Sequence, residues 1–220
     1  MLRTTRLLTA TGSLLLASAL FHAAVWWLAG LPSLAGPVSW RKPMTFGLST
    51  GLLFLSLAWA LSLLPDTRRR ARQAMLFSAL IIAEVGLIDM QQWRGVASHF
   101  NSATAFDSAV FTTMGVLIVA ASIIIALWTR DLWREPLAAT PAMTFAVRTG
   151  MVMLNVGNLI GLMMAATQAT ALKPVHGVAL HVIQVLPVAV WLLAQLRYPR
   201  AWRDGSQRSY SPSSLRWLHR

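Results

Sequence analysis

Six apolar runs, separated by short polar segments, make up most of this chain of 220 residues. They cover residues 8–29, 44–64, 74–93, 108–128, 142–168 and 176–196. A helix needs about 20 mostly apolar residues to cross the hydrocarbon core of a bilayer, and each run reaches that length. The pattern predicts an all-α polytopic membrane protein, a bundle of six transmembrane helices that forms one domain over residues 1–196. The fourth run has almost no polar stripe, so we expect it to face lipid.

Charged residues are scarce and clustered. They make up only 12% of the chain, against about 25% in soluble domains. The formal net charge is +12, but the cations lie in short clusters between apolar runs and form no basic face with aromatics, so we exclude nucleic acid as a partner. The predicted partner is the lipid bilayer, and a homo-oligomer and a protein partner stay open. The chain has no Cys, which excludes an iron–sulfur cluster.

The distribution of Lys and Arg predicts the orientation. With both termini inside, the inner segments carry 14 of these cations and the outer segments 4, and Arg148 falls within the fifth run. Because Lys and Arg accumulate on the cytoplasmic side, we expect cytoplasmic N- and C-termini. The rival interpretation of the first run is a signal peptide cleaved near residues 17–19, but its apolar stretch continues to Gly30, which favours an uncleaved helix. The basic segment 197–220 is predicted to be a disordered cytoplasmic tail.

The tryptophans agree with this orientation. Membrane proteins concentrate Trp at the two interfaces between lipid and water. The predicted outer interface contains Trp26, Trp27, Trp40 and Trp93, and the predicted inner interface contains Trp128, Trp133, Trp202 and Trp217.

Two short patterns bear on helix packing. Gly47 with Gly51, and Gly157 with Gly161, have the spacing at which small residues bring membrane helices together. The segment MTFGLSTG at 44–51 also resembles MTFAVRTG at 143–150, and the two cross the predicted membrane in opposite directions. Two three-helix halves related by inversion would produce this similarity, as in many transporters. A 3+3 inverted repeat is therefore a hypothesis.

Polar residues are concentrated between positions 84 and 107, EVGLIDMQQWRGVASHFNSATAFD. We interpret this stretch as the third helix, an outward-facing loop and the start of the fourth helix. Glu84 lies roughly 15 Å deep at 1.5 Å per residue, where an unpaired carboxylate takes up a proton. It is either a neutral acid bonded to a neighbouring helix or a proton carrier. Arg148 and Asn155 would then line its path, or Arg148 extends to the inner headgroups and Asn155 holds helices together.

Histidines near the predicted outer face suggest a haem site. His22 and His181 lie about 10 Å and 7.5 Å below the outer ends of their helices. This matched depth suits axial ligation of a b-type haem. Surface cations that would meet its propionates are Arg41, Lys42 and Arg94.

A divalent metal site is the other possibility for the histidines. His176 and His181 would share an ion only if His176 precedes the sixth helix, and His99 would add a third nitrogen. An acid from Asp107, Asp89 or Glu84 would complete a nitrogen and oxygen set for zinc or iron. The alternative is that these histidines only pack, and that the SHFN segment satisfies turns and caps the fourth helix.

Three segments carry a resemblance to a known family. GPVSWRKPMTFGLSTG (36–51), RGVASHFNSATAFDSAVFTTMG (94–115) and HGVALHVIQVLP (176–187) resemble an uncharacterised family of bacterial six-helix integral membrane proteins. Its members have a Gly-Asp-Leu-Arg-like stretch where this chain has ATALKPV, so one acid is missing here. The resemblance implies a bacterial inner-membrane location and no particular activity. It implies a periplasm-facing site formed by Trp40, Arg41, Lys42, Pro43, Arg94, His99, Asn101, Asp107, His176, His181 and Gln184.

Three functions remain open, and no motif decides whether the chain is an enzyme. The first is a periplasm-facing pocket that binds a metal ion or haem, with ligands His22, His99, His176 and His181. The second is a small proton-coupled transporter that uses Glu84. The third is a membrane subunit or scaffold without activity of its own. Pocket candidates outside the resemblance are Glu84, Asp89 and Gln92.

Overall fold

The computed structural model describes residues 3–197 of the chain, apart from the side chain of Arg197. Its α-helices are α1 (Arg3–Leu28), α2 (Arg41–Ser62), α3 (Arg68–Trp93), α4 (Ala105–Arg134), α5 (Pro141–Thr167) and α6 (Lys173–Arg197), and a 3₁₀ turn (Thr170–Leu172) precedes α6. Within residues 3–197, six helices are long and apolar enough to cross a membrane. The all-α prediction with six long helices is confirmed. From residue 198 on, the predicted tail lies outside the described residues.

The helices extend beyond the apolar runs into charged sequence. α3 begins at Arg68, six residues before its run, and α4 continues to Arg134, six residues after its run. Arginine is a good helix former, so these polar turns continue the helix although hydropathy does not detect them. Threonine hydroxyls cap three of the helices: Thr67 accepts from Arg70 N, Thr104 from Asp107 N and Thr140 from Met143 N.

Glycines bring α1 against α2. A Cβ placed on Gly47 would lie 2.9 Å from Leu15 O, and one on Gly12 would lie 3.0 Å from Gly51 O. Backbones this close leave no room for a side chain, so the predicted packing role of Gly47 and Gly51 is confirmed.

Glycines also bring α5 against α6. A Cβ on Gly157 would lie 2.7 Å from Leu180 Cδ2, and one on Gly161 would lie 2.8 Å from His176 Cε1. The pair on α5 therefore has the predicted packing role as well, and Gly161 makes room for a histidine ring.

Aromatic rings fill the core between α2, α3 and α4. Phe54 stacks on Phe77 with 4.9 Å between ring centroids, and Phe77 meets the edge of Trp128 at 5.1 Å. Trp128 is fully buried, and its indole N–H donates to Gln73 Oε1 at 3.1 Å. Trp128 is therefore packed inside the bundle, between α3 and α4, and its predicted depth near the inner interface stays a prediction.

The prediction that the fourth helix faces lipid stays a prediction. α4 packs against both α3 and α5, and it buries Asp107, Met114 and Asp131. The helices with the least buried surface are α5 and α6. Although it lacks a polar stripe, α4 is thus no less buried than α5 or α6.

The two similar octapeptides occupy comparable positions. Each ends in a glycine that touches another helix: Gly51 meets Leu16 of α1, and Gly150 meets Ile183 of α6. An inverted repeat that maps α1–α3 onto α4–α6 would instead pair α5 with α4 as closely as α2 pairs with α1. The α4–α5 contact is smaller. The octapeptides therefore share a packing role, and the repeat stays a prediction.

Candidate functional site

The loop between α3 and α4, residues 94–104, is held by its own polar groups. Gly95 and Phe100 have φ values of +70° and +56°, left-handed conformations that turn the chain sharply. Asn101 Nδ2 donates to Ala97 O at 2.9 Å, and Asn101 Oδ1 accepts from Ala103 N at 3.1 Å. These contacts agree with the interpretation in which the SHFN segment satisfies turns.

Asp107 fastens the end of α3 to the start of α4. Its Oδ1 accepts from Gln91 Nε2 at 3.0 Å and from Arg94 Nη1 at 2.7 Å, and its Oδ2 accepts from Thr104 Oγ1 at 2.7 Å. The Arg94 guanidinium also lies 4.7 Å from the centroid of the Phe106 ring. Asp107 is buried, so these three donors replace its lost water. The carboxylate is saturated by its donors and acts as a structural joint.

His99 packs among aromatic rings and lies near Lys42. Its ring centroid is 5.7 Å from that of Phe46 and 6.0 Å from that of Phe111. Lys42 Nζ donates to Ser98 Oγ at 3.1 Å, and Ser98 Oγ lies 3.0 Å from His99 Nδ1. Since the lysine occupies a lone pair of the hydroxyl oxygen, the hydroxyl proton is free to donate to Nδ1 of a neutral ring.

Burial and two lysines keep His99 uncharged. Desolvation, with smaller contributions from the ammonium groups of Lys42 and Lys173, lowers the pKa of His99 to about 4. The ring is therefore neutral at neutral pH. The predicted candidates Lys42 and His99 are in one cluster, and Lys173 of α6 lies near it.

His22 forms a second cluster, between α1 and α3. Its Nε2 accepts from Trp93 Nε1 at 3.2 Å, so the ring proton is on Nδ1, which lies 2.9 Å from Ser18 O. The centroid of Trp40 is 6.0 Å from that of His22 and 5.0 Å from that of Trp93. The lone pair of Nε2 accepts from Trp93 and Nδ1 carries the proton, so in this arrangement no ring nitrogen of His22 is free to bind a haem iron.

Asp89 joins the His22 cluster through Ser18. Ser18 Oγ donates to Asp89 Oδ2 at 3.3 Å, while Asp89 Oδ1 is buried and accepts no hydrogen bond from residues 3–197. Further along the α1–α3 interface, Thr11 donates to Ser78 at 3.1 Å. Polar pairs thus recur along the contact between these two helices.

Glu84 is the most isolated acid of the bundle. It is 3% exposed, and its Oε2 meets no hydrogen-bond donor within the described part of the chain. Gln91 lies seven residues further along the same face of α3 and bonds to Asp107. Arg148 does not reach towards Glu84. It lies at the end of the bundle where α1 and α3 begin and α4 ends, which is named the inner end after the predicted orientation, as the opposite end is named the outer end. There its Nε donates to Leu132 O at 2.9 Å.

The histidines of α6 have contacts that differ from those of His99 and His22. His176 Nδ1 lies 2.8 Å from Gly157 O, which ties the start of α6 to α5. His181 lines a shallow apolar groove of about 440 Å³ on the surface of α6. Gln184 Oε1 is buried and accepts no hydrogen bond from the residues that the structure describes. Asn155 donates to Thr129 Oγ1 at 2.8 Å, as expected of a residue that holds helices together.

The acids and histidines do not gather at one point. Across residues 3–197, no group of three or more His, Asp or Glu side chains is placed to hold a metal ion. Several of the predicted candidates fall into three sets, around Asp107, His99 and His22, whereas Glu84, His176, His181 and Gln184 belong to none of these sets. Arg41 is exposed and Gln92 is half-buried at the same end of the bundle.

Sequence reasoning missed an ionic network at the inner end. Arg70 is 2% exposed, and its guanidinium bonds to Pro65 O and to Glu135 Oε1. Its Nε lies 3.5 Å from Asp131 Oδ2, which Arg69 also contacts at 2.5 Å. The available signal was a pair of acids, 131 and 135, four residues apart at the end of the fourth helix.

The chain was compared with protein-family models, with curated proteins and with solved structures. None of the three comparisons finds a match. The resemblance described above stays a prediction, and the function has to be argued from the site alone.

Proposed function

We propose that this chain is a multi-pass protein of a bacterial inner membrane with both termini in the cytoplasm. Its helices expose large apolar side chains to the surroundings, among them Leu20 at 72%, Phe145 at 70% and Val178 at 70%. Water penalises such surface by about 25 cal/mol per Å², whereas lipid does not. The basic ends of α1, α3 and α4 support the orientation.

Labelling of single cysteines tests this topology, because the natural chain has no Cys. Ala103 in the outer loop and Ala138 in the loop after α4 are both exposed. A membrane-impermeant maleimide should label A103C in intact cells and label A138C only after the membrane is broken. The reverse pattern contradicts the orientation.

Within the membrane we assign α3 a proton-coupled transport function. One observation carries this proposal: the acids inside α3 have unsatisfied oxygens, whereas those near helix ends are bonded. Glu84 and Asp89 each have a buried carboxyl oxygen without a partner among residues 3–197. Asp66, Asp107, Asp131 and Glu135 each accept hydrogen bonds. An ionisable group inside a spanning helix is costly and by default indicates a functional site, of which a proton relay is one kind.

The neighbours of Asp89 provide a chain of polar atoms towards the outer end. Ser18 contacts Asp89 and His22, and His22 contacts Trp93, which is 56% exposed. Glu84 precedes Asp89 by five residues, about 7.5 Å along the axis. Around the helix the two acids are about 140° apart. In this proposal Glu84 binds and releases the coupled proton, and the Asp89, Ser18 and His22 groups form the outer part of the path, towards the periplasm.

Proteoliposomes that contain the purified chain and a pH-sensitive dye test the proposal. Amino acids, sugars and organic cations are added in turn, and the wild type should respond to at least one class with a change of internal pH. E84Q keeps the shape of the side chain and removes its titration, so this response should disappear.

The matched control is E135Q, the same substitution at an acid whose carboxylate accepts a hydrogen bond from Arg70 at the inner end. E135Q should retain the change of internal pH once this change is scaled to the amount of folded protein. Gel filtration and circular dichroism measure that amount. An unchanged response in E84Q contradicts the role of Glu84. A wild type that responds to none of the solutes contradicts proton-coupled transport.

A further inference from the structure

A cavity of about 510 Å³ opens at the inner end of the bundle, between the first turns of α1 and α3. Three arginines line it, Arg3, Arg68 and Arg72, and the acid at its edge is Asp66. This cavity lies at the opposite end from the clusters around His99 and His22 and takes no part in the transport proposed above.

The three guanidinium groups are free to bind an anion. Of the described residues, none forms an ion pair with Arg3, Arg68 or Arg72, whereas Arg69, Arg70 and Arg130 all pair with Asp131. Asp66 attracts Arg3 at longer range. The cavity therefore has more cations than acids, in a region where the neighbouring arginines are neutralised.

The carboxylate of Asp66 is already occupied. Its Oδ1 accepts from Thr4 Oγ1 at 2.6 Å, and its Oδ2 accepts from Arg3 N at 2.9 Å. The Thr4 hydroxyl lowers the pKa of Asp66, so the acid is ionised and contributes one negative charge. With three arginines and one aspartate, the lining of the cavity has a formal charge of +2.

The wall of the cavity changes from cationic to apolar along α3. Arg68, Ala71, Arg72 and Met75 are three or four residues apart and share one face of the helix. Met75 lies about 10 Å further along the axis than Arg68 and is 61% exposed. A phosphate would meet the guanidiniums, which bind its oxygens in a bidentate manner, and an acyl chain would continue along Ala71 and Met75.

We propose that this cavity binds the phosphate headgroup of an anionic phospholipid of the inner leaflet. A free phosphate would contact the arginines but not the apolar side chains of Ala71 and Met75. These apolar side chains therefore favour a phospholipid over free phosphate as the ligand. The inference rests on the proposed membrane location and is independent of proton coupling.

Native mass spectrometry of the full chain in detergent tests the site with added phosphatidylglycerol, and phosphatidylcholine serves as the neutral comparison. The wild type should retain phosphatidylglycerol in preference. R68Q/R72Q should bind it roughly 25-fold more weakly, because each basic residue near a headgroup contributes about a factor of five. R6Q/R134Q removes the same charge from exposed positions outside the cavity and should bind as the wild type does.

Two outcomes would overturn the proposal. An equal loss of lipid in R6Q/R134Q would mean that the general positive charge attracts lipid without a site. Competition by inorganic phosphate or glycerol phosphate as strong as that by phosphatidylglycerol would identify a free-phosphate site. The binding assay is made in detergent, so its result does not depend on the labelling experiment that tests orientation. It is also independent of the liposome experiment that tests transport.

Discussion

At the inner end of the bundle most acids lie beside cations, whereas at the outer end most cations have no acid beside them. Arg70 contacts both Asp131 and Glu135, and Arg69 shares Asp131. The described part of the outer end has one ion pair, between Arg94 and Asp107. Arg41, Lys42 and Lys173 make none within residues 3–197, and the nearby His99 is neutral.

The two ends of the bundle are therefore held together by different kinds of contact. The inner end is fixed by ionic contacts that connect the start of α3 to the end of α4. The outer end is held by hydrogen bonds to Asp107 and by rings around His99 and His22. We therefore expect the inner end to depend on single charges, and the outer end to respond to pH.

The largest expected effect is the loss of the buried cation at the inner end. R70A leaves Asp131 and Glu135 without their buried partner and Pro65 O without its donor. Removing one member of a buried ion pair costs about 3–5 kcal/mol. Denaturant unfolding in detergent micelles, followed by Trp fluorescence, should show a loss of that size.

The matched control is R69A at the neighbouring position. Arg69 contacts the same Asp131 oxygen, but its side chain is 47% exposed. Exposed ion pairs contribute about 0–1 kcal/mol, so the control should remain close to the wild type. Equal losses in R69A and R70A would show that the network does not depend on the buried guanidinium.

The sequence predicted the helices and part of the outer loop for clear physical reasons. Helix existence follows from the length of each apolar run, which is a local property. Arg94, Asn101 and Asp107 lie within 14 residues of one another, so a single turn between two helices brings them together. The turn chemistry of that loop depends on near neighbours in the chain and could be predicted. The cap was assigned wrongly, because Thr104 and not the SHFN segment caps the fourth helix.

Contacts between distant helices could not be predicted. Arg70 lies in the run Arg68–Arg70, which marks topology, and its pairing with residues 131 and 135 depends on how α3 and α4 rotate against each other. The contact of His22 with Trp93 likewise requires the rotation of α1 against α3. Depth alone placed His22 and His181 at one level and suggested haem, but depth does not specify which way a ring points.

A smaller effect is expected when the joint at the outer end is removed. D107A deletes a buried acceptor that three side chains share, Gln91, Arg94 and Thr104. Hydrogen bonds to a charged group contribute about 1.5–3 kcal/mol, and Arg94 recovers water because it is 38% exposed. We expect a loss of ~2–3 kcal/mol in the same unfolding assay, less than in R70A.

The comparison for D107A is Q91A, which removes one donor from the same carboxylate. It should cost ~1 kcal/mol. If D107A were no more destabilising than Q91A, the Arg94 and Thr104 contacts would contribute nothing and the joint would be a single hydrogen bond.

The smallest expected effect is a pH dependence that belongs to the outer end. The pKa of His99 is about 4 in the folded chain, below its ordinary value of 6.5. As the pH falls from 6.5 to 4, the unfolded chain binds a proton at this residue before the folded chain does, so stability is lost across this window and present above it. Because the His99 ring is partly exposed, we expect its titration to change the free energy of unfolding by ~1–2 kcal/mol across this window.

H99F isolates this contribution, since phenylalanine suits the surrounding Phe46 and Phe111 rings and does not titrate. Its melting temperature should fall less than that of the wild type between pH 7 and pH 4. H181F, which removes a histidine from the apolar groove of α6, should follow the wild type. A parallel fall in H99F and the wild type would mean that the acids alone set the pH response, and the outer end would then differ from the inner end in contacts but not in titration.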